Sequence, residues 1–138
     1  SLLAAEKILE NIDNIFDGKA IFKEQDHNKA TYANKIDKSE GKIYWNDSAK
    51  KIIGKINGLY PFPGAFFLHK GERYKILKAE FSNAKGDPGV ILNENFEIGC
   101  AEGSIKVLEI QREGKKIQKI KEFMLGTLIK KGINLNDA

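Results

Sequence analysis

One cysteine, two histidines, three prolines and one tryptophan are all that 138 residues offer of those types, and each scarcity closes a class of function. A lone Cys100 rules out an intrachain disulfide framework and suits a reducing, cytoplasmic setting. Cys100, His27 and His69 cannot assemble a four-ligand zinc site. No apolar run approaches the roughly 18 residues of a membrane span, and Glu6, Lys7 and Glu10 interrupt the first apolar pattern, so neither a spanning helix nor a signal peptide is expected. No Ser/His/Asp arrangement, phosphate-binding loop, dinucleotide fingerprint or metalloprotease motif occurs, so no catalytic residue is assigned. Cys100 alternates with Phe96 and Ile98 and reads as a small core hydrophobe.

What is present is a foldable, lysine-rich chain, with 41% apolar residues, 30% charged residues and a net charge of +4. Its length supports one ordinary core. The charge is uneven: residues 1–50 hold eight Lys against nine acids, whereas residues 51–138 hold fifteen Lys/Arg against ten. The excess gathers late, around Arg112, Lys115, Lys116, Lys119 and Lys121. Such a field suits a phosphate backbone bound with release of counterions, or an ordinary solvated surface.

Apolar residues at helical spacing from Leu2 to Phe16 predict an amphipathic helix, expected as the detached last helix of a preceding domain. Gly18 stops it, and the polar stretch 23–42, with Lys29, Lys35, Lys38 and Lys42, reads as a linker. Asn46 or Asp47 is the expected cap of a second helix carrying Ala49, Ile52, Ile53 and Ile56 on one face. It ends at Gly58, before the Tyr60-Pro61-Phe62-Pro63-Gly64 corner. Tyr60 and Phe62 at this corner are assigned to packing, with nucleotide stacking as the alternative. Strands are predicted over 65–68 and 74–81, joined by a hairpin at 69–72, then over 90–92, 96–101 and 104–112, with a last strand or tail at 133–135. In 104–112, Ile105 and Val107 share one phase and Leu108 and Ile110 the other, so either both faces are partly buried or, the preferred reading, a bulge resets the alternation. A short helix is expected at 120–125. The predicted fold is mainly β: a small closed OB-like β-barrel with a covering helix, preceded by a linker and a detached N-terminal helix.

Several stretches taken together resemble the C-terminal part of the methionyl-tRNA formyltransferase family. They are Ala30-Thr31-Tyr32-Ala33-Asn34-Lys35-Ile36, Gly41-Lys42-Ile43-Tyr44-Trp45, Asn57-Gly58-Leu59-Tyr60-Pro61-Phe62-Pro63-Gly64-Ala65-Phe66, Gly86-Asp87-Pro88-Gly89-Val90-Ile91 and Glu122-Phe123-Met124-Leu125-Gly126. The resemblance implies that residues 1–20 end a formyl-transfer domain, 21–43 form a basic linker and 44–138 form an OB-like tRNA-binding domain. It implies partners, namely initiator methionyl-tRNA and the upstream catalytic domain of the same protein, with no membrane. The catalytic Asn, His and Asp and the 10-formyltetrahydrofolate pocket would lie upstream, so this part alone would bind no cofactor and be inactive.

Lys35 and Lys38 match the family's Lys-x-x-Lys linker pattern and, with Arg112, Lys115, Lys116 and Lys119, are the expected tRNA-binding residues. Asn57, Tyr44 and Phe62 depart from the Arg, Asp and Trp common at those positions. Two alternatives remain: a formyltransferase acting on a nucleotide-linked amino sugar, and a structural domain that stabilises its catalytic neighbour.

Overall fold

In the computed structural model, which describes residues 2–136, the chain divides into two units between Asn34 and Lys35. The first contains α1 (Leu2–Phe16), where the predicted helical period is realised, and a 3₁₀ turn at His27–Lys29. Gly18 follows α1 at φ 69°. No residue of α1 is buried, and Leu2, Leu3, Ile8 and Leu9 are all exposed. Asp26 caps the 3₁₀ turn by accepting from the Asn28 amide at 3.0 Å.

The second unit is built on five strands, β1 (Ala65–His69), β2 (Glu72–Ser82), β3 (Glu97–Gly99), β4 (Ser104–Arg112) and β5 (Gln118–Lys119). All pairings are antiparallel, in the order β1-β2-β4-β3, with β5 sharing the β3 edge of β4. Lys70 and Gly71 connect β1 to β2 with φ of 51° and 75°. Two consecutive left-handed residues make the primed turn whose twist matches that of the flanking strands.

The expected break of phase in β4 is present. Ile76 pairs with Ile110, Lys78 with Glu109 and Ala79 with Val107, so Leu77 is the extra residue on one strand and Leu108 on the other. Ile105, Val107 and Ile110 therefore all point inward despite their uneven spacing.

The OB-like barrel does not form. β1 and β3 end the strand path and no pairing joins them, so the unit is a mixed α/β domain on an open sheet. Helix claims as much of the described chain as strand does, against the expectation of a mainly β fold. The physical reason lies in the short segments that were to close the barrel. Residues 90–92 are bounded by Gly89 at φ 84° and by a turn ending in Phe96 at φ 57°. Between these bends there is room only for single bridges, Val90 to Asn134 and Ile91 to Ile98, and 133–135 contributes nothing longer.

The core lies between the sheet and its helices. Ser48, rather than Asn46 or Asp47, caps α2 (Ala49–Gly58) by accepting from the Lys51 amide at 3.3 Å. Ile52 and Ile56 of α2 are fully buried with Phe67, Ile76, Ile98 and Val107. Burial of each such side chain is worth about 1.5–3 kcal/mol. An aromatic chain runs through this layer, from Trp45 to Phe67 at 5.9 Å, Phe67 to Tyr74 at 5.3 Å, Tyr74 to Phe123 at 5.9 Å and Phe123 to Phe96 at 5.7 Å. Phe123 comes from α3 (Ile120–Gly126), close to its predicted position. Cys100 is buried, and burial pushes its thiol up to about 11, in keeping with a packing role.

Candidate nucleic-acid interface

At the end of the sheet where β1 meets β2, successive residues of β2 face opposite sides. Arg73 and Lys75 line one cleft; Glu72 and Tyr74 line another on the opposite side. The turn after β4 serves both, since Glu113 and Gly114 border the first and Lys115 and Lys116 the second.

The first cleft, of about 260 Å³, gathers Lys38, Arg73 and Lys75 beside Phe62, Gln111 and a single acid, Glu113. The Arg73 guanidinium stands 3.7 Å from the centre of the Phe66 ring. The buried Arg73 Nε has no hydrogen-bond partner among the described residues. The Lys75 ammonium lies 6.0 Å from the centre of Phe62, which is 72% exposed on its proline-flanked corner.

Lys38 reaches this cleft because its own segment is firmly seated. Asp37 and Glu40 form a capping box around the 3₁₀ turn Lys38–Gly41, each side chain accepting from the other end's backbone amide. The Ser39 hydroxyl and amide, both donating to Asp37, hold that carboxyl below its usual range. A Cβ on Gly41 would come within 2.5 Å of the Gly64 carbonyl oxygen, so only glycine allows this turn to lie against the corner. Beyond it the Ile43 amide donates to the Phe66 carbonyl at 2.7 Å, and the Lys55 ammonium donates to the Lys42 carbonyl at 2.7 Å.

The second cleft, of about 650 Å³, gathers Lys70, Arg112, Lys115 and Lys116, but with Glu72 and Glu122 among them. Arg112 is engaged in an ion pair with Glu72. The Tyr74 hydroxyl donates to the same carboxylate at 2.6 Å. These two donors hold Glu72 below its ordinary range, while burial and the bond to Glu72 push the Tyr74 phenol up to about 12. His69 sits at the margin, buried, with an unpartnered Nδ1 among the described residues. Burial and the nearby Lys70 lower its pKa, so the ring is neutral at pH 7.

Of the sequence-predicted residues, the structure places Lys38 on the first cleft and Arg112, Lys115 and Lys116 together on the second. Lys35 is exposed ahead of the capping box, and Lys119 is exposed at the start of α3 with Glu109 as its register partner. Arg73, Lys75 and Lys70 were missed, although the alternation of Arg73 and Lys75 with apolar Tyr74 and Ile76 marks them as one outward row. Neither histidine joins a catalytic set, and among the described residues no group of three His, Cys, Asp or Glu could hold a metal ion. No described helix is long and apolar enough to cross a membrane.

Residues 35–128 match the family model for the formyl transferase C-terminal domain. The chain is 59% identical, over its whole length, to methionyl-tRNA formyltransferase from Pelagibacter ubique, of which it covers 45%. It is 39% identical over 90% of its length to the enzyme of that name from Rickettsia bellii, covering 41% of it. The chain thus spans less than half the length of these relatives. Among solved structures, HypX from Aquifex aeolicus in complex with tetrahydrofolic acid superposes with a TM-score of 0.67 at 21% identity, over 94% of this chain and 24% of that one. A variant of the same protein gives 0.67 at 22% identity, over 89% and 23%. At such identities the likeness is one of fold alone. The family model and the curated relatives agree on the same stretch of chain: it belongs to the formyl transferase C-terminal domain family, as a C-terminal domain related to the methionyl-tRNA formyltransferases.

Proposed function

We propose that this chain is the tRNA-holding part of a methionyl-tRNA formyltransferase. In this reading residues 1–20 close an upstream formyl-transfer domain, 21–43 link the two domains and 44–138 engage initiator methionyl-tRNA in the cytoplasm. The upstream domain carries out the reaction. The methionyl amino nitrogen attacks the formyl carbon of 10-formyltetrahydrofolate, the bond from that carbon to N10 breaks, and the proton lost by the amine is returned to the folate nitrogen. The contribution of this chain is orientation, which converts a bimolecular encounter into a positioned one.

The observation that carries this reading is the convergence of Lys70, Arg112, Lys115 and Lys116, from two separate sequence segments, on one cleft. Phosphate contacts position a nucleic acid without reading its sequence, and they require cations displayed together. Lys35, Lys38 and Lys119 extend the contact beyond that cleft. Arg112 can serve even while paired, because Glu72 engages only part of its five-donor fork.

The test is a salt titration of initiator-tRNA binding to the intact protein carrying this chain, with and without Lys115→Gln and Lys116→Gln. The slope of log Kd against log salt is expected to fall by about 0.7–0.9 for each contact removed, with kcat retained and KM for tRNA raised. An unchanged slope and an unchanged KM would refute the assignment.

A further inference from the structure

The first cleft combines features that plain phosphate steering does not need. Three cations from two segments, Lys38 from the seated turn and Arg73 and Lys75 from β2, face one acid, Glu113. Arg73 is fixed over Phe66, and its Nε lacks a partner among the described residues. A buried donor in that state costs free energy until an acceptor arrives. On the rim stands Phe62, a large apolar ring left 72% exposed and pinned at its backbone by a proline on either side. Cations lining the cleft beside an exposed aromatic face are the two halves of a site for an unpaired nucleotide.

We propose that this cleft binds a single unstacked nucleotide of the RNA, its phosphate between Arg73, Lys75 and Lys38 and its base laid on the ring of Phe62. The site rests on the tRNA-holding reading and adds to it a contact confined to single-stranded or splayed nucleotides, which a duplex cannot supply. It carries little base preference, because every base has a stacking face and the polar groups of the cleft address the backbone. Lys75, beside the ring, adds a cation to the stacked pair.

The test uses the intact protein and two RNA probes, unacylated initiator tRNA and a fully paired RNA hairpin of matched length, titrated by fluorescence anisotropy. Phe62→Leu is expected to weaken tRNA binding about tenfold with an unchanged salt slope, through loss of the stacked base, and to leave hairpin binding as it was. Lys75→Gln is expected to lower the tRNA salt slope by about one. Phe62→Trp should bind at least as tightly as the original. Phe62 is exposed, so its loss leaves the core intact, and thermal melts of each variant verify this. If the intact protein binds tRNA with a steep salt slope while Phe62→Leu matches it, the nucleotide site is refuted and the tRNA reading stands. If Phe62→Leu weakens tRNA and hairpin equally, the site is again refuted, because the ring would then serve a duplex contact. If the intact protein binds neither probe, the tRNA reading fails and takes the site with it.

Discussion

The two clefts lie on opposite sides of one sheet end and differ in how their cations are balanced. On the Phe62 side, Lys38, Arg73 and Lys75 meet a single carboxylate, and the Arg73 guanidinium lies over the Phe66 ring. On the Arg112 side, four cations surround Glu72 and Glu122, and the central guanidinium is already paired. A cation stacked on a ring keeps its full charge for an incoming anion, whereas one bonded to a carboxylate must share it. The first cleft thus keeps its cations largely unpaired, whereas the second is a broader, partly self-neutralised field.

The largest expected effect comes from removing what both sides stand on. Phe67 is fully buried in β1, on the same face as its register partner Tyr74, and packs on both Trp45 and Tyr74. Phe67→Ala should cost about 3–5 kcal/mol in urea denaturation and weaken both sides together; loss confined to one side would show that they do not share a wall.

Gly41→Ala should separate them. The new methyl group meets a backbone oxygen that has little freedom to yield, so the turn must lift at a cost of about 1–3 kcal/mol. Lys38 then leaves the first cleft while the second is untouched. The expected readout is a fall in tRNA affinity matching that of Lys38→Gln, with no additional loss when the two changes are combined.

The smallest effect distinguishes the sides by pH. His69 and Glu72, both on the second cleft, have native pKa values below their ordinary 6.5 and 4.5. The folded state therefore binds fewer protons than the unfolded one, and the stabilisation is present above those values and lost as pH falls through them. The thermal midpoint should decline on acidification first from near pH 6.5, through His69 of the second cleft, and again below about 4.5, where Glu72 and then Asp37 on the other side take up protons. His69→Asn should remove the upper step only. A first step that survives this change would place its origin elsewhere.

Much of this arrangement was legible in the sequence. Helical spacing located α1, α2 and α3 to within a residue or two, and the change of phase between Val107 and Leu108 announced the bulge. The closed barrel was misread because an apolar triplet such as 90–92 looks the same whether it extends into a ladder or is bent away at both ends. The backbone dihedrals at Gly89 and Phe96 decide that, and they depend on tertiary packing. Of the second cleft, Arg112, Lys115 and Lys116 were visible as part of the late basic excess, whereas Lys70 was not. The first was hidden because Lys38 lies 35 positions before Arg73 in the chain and joins Arg73 and Lys75 only through the pairing of β1 with β2 and the seating of Lys38–Gly41.

The backbone contact between Ile43 and Phe66 also governs how the molecule can be dissected. Residues 42 and 43 cover the outer side of β1 with a parallel bridge. A fragment begun at residue 44 would expose an uncovered strand carrying Phe66, and bare strand margins are templates for chain-to-chain pairing. Trimming the protein at that point would produce a self-associating domain, whereas starting it at Lys35 keeps the protective cover in place.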